Sequence, residues 1–229
     1  MPLASIVAAA GMFITGQKTF AAARLGFILL AALVPPLTAA LAFRLTSNRA
    51  LSFLSGLLAC FPIYYAPFLP VTDNYAIYML LGISFFFLLS SLPTSKQPSI
   101  VFLGFGITSS LMTLARSDGL LWLGLSLLVA LWHARRLSNS PSSLPRSGSS
   151  SSLFTSPFSR FTLHVLRFTF FILLGYFLLM SPWYVRNLSA FGSLMAPGGM
   201  RALWLTNYND TFAYPASHLT LQAWLASGW

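Results

Sequence analysis

Apolar residues run along this chain in long stretches separated by short polar breaks, and the lengths of those stretches decide the fold class. Six runs, about 23–43, 50–66, 75–92, 99–115, 119–132 and 161–182, have the extent and boundaries of membrane helices. A seventh stretch, about 3–16, falls short of the roughly 20 residues a span needs and suits a short helix in the membrane interface. The pattern therefore predicts an all-α polytopic transmembrane bundle. It has about six spans, the short N-terminal helix and an outer-face C-terminal segment. Pro35-Pro36 interrupts the first run, but apolar sequence continues on both sides, which predicts a kink within one helix.

The fourth and fifth runs give helices of about 24 and 21 Å, short of a hydrocarbon core of roughly 30 Å. A single helix over 99–132 would strand Arg116 and Asp118 at mid-bilayer without water. A hairpin whose polar turn, Arg116-Ser117-Asp118-Gly119, dips below the outer surface avoids that cost. Gly119 then gives the turn its backbone freedom. Residues 138–160 are rich in serine, proline and glycine and read as a flexible cytoplasmic linker. The organisation is thus an interfacial segment (1–20), a five-span block (21–137), the linker (138–160), a last span (161–183) and an outer-face segment (184–229), with a short helix expected after Ser217.

Composition sharpens the picture. Hydrophobic residues make up 56% of the chain and charged ones 7%, against roughly a quarter charged in soluble domains. Lipid is the solvent such a surface demands. The net charge of +10 comes from cations lying mostly between the apolar runs. If the spans alternate, Arg44, Arg49, Lys96, Arg135, Arg136, Arg146 and Arg160 share one side, while Lys18, Arg24, Arg116, Arg186 and Arg201 share the other. The first side is the more basic and reads as cytoplasmic, with both termini outward. Membrane lipids are the expected partners, their phosphates meeting these cations. No basic cluster is interleaved with stacking aromatics on a polar surface, so nucleic acid is not expected.

Cys60 is the only cysteine, which excludes an intramolecular disulfide. His133, His164 and His218 share no metal-ligand spacing, and neither a P-loop nor a dinucleotide fingerprint is present. No metal and no cofactor are expected.

The chain has three acidic side chains, all aspartate. Arg116 and Asp118 form either a polar patch for a charged substrate group or a mutually satisfied pair that fixes the hairpin. Arg186 and Arg201 flank a glycine-containing stretch, and a guanidinium fork suits phosphate oxygens. With Arg116 on the same face, three arginines could surround one phosphate; snorkelling to headgroups is the alternative. Asp73 sits at the outer start of the third span, where helix capping accounts for it. Asp210 belongs to a turn. Asn187-Leu188-Ser189 and Asn209-Asp210-Thr211 match the glycosylation acceptor pattern.

Three stretches, VTDNYAIYMLLG (71–82), LARSDGLLWL (114–123) and PWYVRNLSAFGSLMAPGGMRALWLTNYND (182–210), resemble in order and spacing the multi-pass bacterial glycosyltransferases of the GT-C class. This class includes the protein O-mannosyltransferase-like and RgtA/B/C/D-like enzymes. The resemblance implies transfer of a sugar from a polyprenyl-phosphate carrier to an outer-face acceptor, in a bacterial inner membrane. In such enzymes an aspartate of the first outer loop acts as base on the acceptor hydroxyl, and basic residues stabilise the departing phosphate. Residues 1–20 match only the end of that loop and hold no acid. The expectation is therefore the middle of such an enzyme, inactive alone, with no catalytic residue assigned. Asp73, Arg116, Asp118, Arg186 and Arg201 remain as substrate-binding candidates. A multi-pass transporter or a non-catalytic membrane subunit is the competing class, since paired intramembrane charges and kinked helices serve transport.

Overall fold

A computed structural model of the chain describes residues 2–61, 67–139, 157–194, 204–207 and 218–228, with Ser117 and residues 157–159 described through their backbone alone. The regular elements are α1 (Pro2–Thr15), α2 (Phe20–Thr46), α3 (Arg49–Ala59), α4 (Tyr75–Ser91), α5 (Pro98–Ala115), α6 (Leu120–Ser138), α7 (Pro157–Phe191) and α8 (Leu221–Ala226). Short 3-10 turns at Leu92–Thr94 and Ser117–Gly119 complete them. The chain divides into two compact units, Met1–Leu179 and Met180–Trp229.

The fold is the all-α polytopic bundle that the apolar runs predict. Among the described residues, five helices are long and apolar enough to cross a membrane: Phe20–Thr46, Tyr75–Thr94, Pro98–Ala115, Leu120–Ser138 and Arg160–Phe191. Their outward faces carry large apolar side chains, among them Phe170 (61% exposed) and Leu121 (76% exposed). Lipid can cover such a surface and water cannot. The run at 50–66 behaves differently. Its helix, α3, has 11 residues, a rise of about 16 Å, and residues 62–66 lie outside the described residues.

Local chemistry explains the boundaries. Thr19 caps α2 by accepting from the Ala22 N–H, and Asn48 caps α3 by accepting from Ala50 and Leu51. Helix α2 continues through Pro35 and Pro36 as one element. Helix α3 packs back on that stretch: the Ser52 hydroxyl donates to the Ala39 carbonyl at 2.6 Å. Gly56 leaves room for Ala39 and the Pro35 carbonyl.

In the first unit α5 forms the core, with α4 and α6 packed against it. Phe85, Phe102, Phe105, Phe168 and Ile172 are fully or nearly fully buried there. Backbones of α5 and α7 meet closely at two glycines. A side chain on Gly106 would strike the Ile172 carbonyl, and one on Gly175 the Leu103 carbonyl. Small residues at such crossings let membrane helices approach, since lipid offers no hydrophobic force to pull them together. His133 is buried in this core beside the rings of Phe102 and Phe168.

Helix α1 runs antiparallel to the first half of α2, with Gly11 against the Ala22 and Ala23 carbonyls and Val7 against Gly26. Its Leu3, Ala4, Val7 and Ala8 join a second core around Phe27, Ile77 and Ala115. The helix directions then sort the charges. Arg24, Asp73, Arg116 and Asp118 fall at one end, where α2, α4 and α6 begin and α5 ends. At the opposite end Arg44 donates to the Ser90 and Ser91 hydroxyls at 2.7 and 2.8 Å, tying α2 to α4.

Candidate functional site

The α5–α6 turn brings the first two predicted residues together. Arg116 ends α5, and its N–H bonds back to the Met112 carbonyl at 2.8 Å. Its Nε donates to Asp118 Oδ1 at 3.1 Å, and both side chains are 43% exposed. Beneath the pair, the Arg116 guanidinium lies over the Tyr78 ring, 5.6 Å from its centre. Asp118, chiefly through that hydrogen bond, holds Arg116 above the ordinary arginine value despite partial burial. The guanidinium therefore stays charged at the water edge of the bundle.

Sequence reasoning expected Gly119 to supply unusual backbone angles. Its φ and ψ are −55° and −23°, which any residue adopts. What the turn requires is space: a side chain at Gly119 would collide with the backbone of Met112 and Thr113.

Two residues not singled out in the sequence organise the site. Trp122 Nε1 donates to the Tyr78 hydroxyl at 2.8 Å, linking α6 to α4. Trp122 also meets Phe85 edge-on at 4.9 Å. The available signal was spacing, because Asp118 and Trp122 stand four apart at the start of a helix and so share a face. Arg24 is the arginine near the start of α2 at this end. Its Nε donates to the Pro70 carbonyl at 2.9 Å, anchoring the chain before α4 to α2.

Asp73 lies just before α4, where capping was expected. Asn74 occupies the N-cap position and makes no side-chain cap bond; Asp73 Oδ1 accepts from the Asn74 N–H at 2.6 Å. Asp73 also lines an open cleft of about 330 Å³ with Ala4, Ser5, Ala8, Thr72 and Asn74.

The remaining candidates fall elsewhere. Arg186 belongs to the second unit, where it lies 4.6 Å from the centre of the Trp183 ring and 5.7 Å from that of Phe191. Arg201 and Asp210 lie outside the described residues. Thus Arg116 and Arg186 belong to separate compact units, and Arg24 is the arginine that shares the Arg116 end within the first. Asn187, read as a possible glycosylation acceptor, is buried, and its Nδ2 donates to the Leu194 carbonyl at 2.9 Å. The expected short helix after Ser217 is α8, capped by Thr220. Among the described residues no group of three or more His, Cys, Asp or Glu side chains could hold a metal ion.

No protein-family model, no curated protein and no solved structure matches this chain.

Proposed function

We propose that this chain is a membrane domain of glycosyltransferase type that binds a polyprenyl-phosphate-linked sugar with its phosphate at Arg116. The supporting observation is the Arg116 guanidinium itself, charged, 43% exposed and held over Tyr78 by Asp118 at the end of a bundle of apolar helices. A phosphate on an isoprenoid carrier needs a cation at this depth and hydrocarbon below it. Arg24, at the same end, adds positive charge. The resemblance of 71–82, 114–123 and 182–210 to GT-C enzymes points to the same substrate class. It also supports a bacterial inner-membrane location with this end outward. No residue is assigned as the base, so sugar transfer by the chain alone is not expected.

Retention of a polyprenyl-phosphate sugar by the purified chain in nanodiscs tests this reading. Arg116→Ala removes charge-assisted hydrogen bonds to the phosphate and is expected to weaken retention by about tenfold. Equal retention by both proteins would overturn the assignment.

The second reading, a transporter or non-catalytic subunit, draws on hydroxyls within the bundle. Ser109 and Ser126 share a buried hydrogen bond of 3.0 Å between α5 and α6. The Ser110 hydroxyl is buried without a partner among the described residues. Substrate flux in proteoliposomes without carrier binding would favour it.

A further inference from the structure

The cleft between α1 and the start of α4 holds a charge with no ion-pair partner among the described residues of the first unit. In a chain of net charge +10, Arg116–Asp118 is the only ion pair found among the described residues. Asp73 is exposed on the cleft wall, and its Oδ1 accepts from the neighbouring Asn74 N–H. Beside it, the Asn74 side-chain oxygen is buried and has no hydrogen-bond partner among the described residues. Thr72 contributes a hydroxyl to the same wall, and Ala4 and Ala8 of α1 supply a small apolar floor.

This lining is rich in acceptors and carries one formal negative charge. A carboxylate without an ion-pair partner among the described residues is costly at a membrane boundary. A ligand that supplies one positive charge and several N–H donors answers that need at the exposed Asp73 carboxylate. An ammonium group has three donors and no acceptor. A phosphate, by contrast, would meet carboxylate and carbonyl oxygens here. At about 330 Å³ the cleft is at the small end of the range for ligand sites, which suits a headgroup or a single amino sugar.

We propose that the cleft lined by Ser5, Thr72, Asp73 and Asn74 binds a primary ammonium group. The site is separate from the phosphate reading of Arg116 and goes beyond it. Two sources share this chemistry: the headgroup of an ethanolamine phospholipid, reached from the bilayer, and a soluble amino sugar, reached from water.

Native mass spectrometry of the full chain, released from nanodiscs of phosphatidylcholine and phosphatidylglycerol containing a minor share of phosphatidylethanolamine, distinguishes them. Glucosamine titration of the same preparation by calorimetry is the second arm. Retention of phosphatidylethanolamine over phosphatidylcholine by about fivefold, lost in Asp73→Asn, assigns the lipid headgroup. Glucosamine binding that Asp73→Asn weakens to the same degree, without a lipid preference, assigns the soluble amine. Ala8→Leu, which narrows the cleft and leaves Asp73 in place, is expected to reduce whichever binding is seen. Equal retention of the two lipids with no glucosamine binding overturns the proposal. So does a preference that survives Asp73→Asn in a protein whose circular dichroism is unchanged. Retention of a polyprenyl-phosphate sugar is scored separately in the same spectra, so failure of either site leaves the other to stand on its own result.

Discussion

Trp122 donates its indole N–H to the Tyr78 hydroxyl at 2.8 Å, and the Tyr78 ring in turn lies under the Arg116 guanidinium. One hydrogen bond between α4 and α6 thereby sets the platform on which the exposed cation rests. The bond crosses two helices that otherwise meet mainly through α5, so it positions the ring and adds stability as well. Interhelical hydrogen bonds in membrane proteins contribute about 0.6 kcal/mol on average.

Trp122→Phe and Tyr78→Phe each delete one partner and keep an aromatic ring in place. Each is expected to lower unfolding stability in detergent by about 1 kcal/mol. The double variant should lose less than the sum, with a coupling of about 0.5 kcal/mol or more. Thermal unfolding of the four proteins gives the cycle. Strict additivity would show that the observed bond carries no energy.

Gly119 and Gly124 make a matched pair for the α5–α6 hairpin. A methyl group on Gly119 meets Met112 and Thr113 backbone, whereas one on Gly124 meets nothing within 4 Å. Gly119→Ala is expected to cost about 1–3 kcal/mol. Gly124→Ala, inside an exposed stretch of α6, should be neutral or stabilising by up to about 1 kcal/mol. Comparable thermal midpoints for the two variants would contradict the close approach at the turn.

The ion pair at the turn gives a pH prediction with a definite sign. The Asp118 hydrogen bond raises the Arg116 value above the ordinary one for arginine. A basic group raised on folding contributes stability that is fully present below its unfolded value and is lost only as pH climbs through the folded one. That window lies above about pH 12. The difference in midpoint between the wild type and Arg116→Gln should therefore show no decline attributable to Arg116 from about pH 6 to about pH 9. Unfolding scans at several pH values check it, and a marked fall toward pH 9 would count against a charged, Asp118-bound Arg116.

Asn187 offers a test in a glycosylating host. Its amide nitrogen is bonded to the Leu194 carbonyl and its side chain is buried. The tripeptide Asn187-Leu188-Ser189 is expected to stay unmodified when the chain is made in eukaryotic microsomes. Asn187→Gln should leave the gel mobility after glycosidase treatment and before it unchanged relative to wild type. A shift traced to Asn187 by peptide mass would show that the segment opens in the membrane.

Much of the bundle was legible along the chain because the hydrocarbon core imposes a length on each helix, and length is a local property. The runs at 23–43, 75–92, 99–115, 119–132 and 161–182 all became long apolar helices, and the polar break at 116–119 became the hairpin turn. The charges at Arg24, Arg44, Asp73 and Arg116 also fell at the ends their loop positions indicated. Run length read alone was insufficient at 50–66, where the described helix stops at Ala59. The tertiary structure alone decided that Tyr78 and Trp122 serve the Arg116 end, that Gly119 is needed for space rather than for its angles, and that Asn187 is buried. Each depends on which face of a helix or turn meets a neighbour, seven residues away at Asn187 and forty-four at Trp122. In a chain whose helices are apolar on nearly every side, the pattern of hydrophobicity marks no such face; backbone approach at glycines and a few hydrogen bonds between helices select it instead.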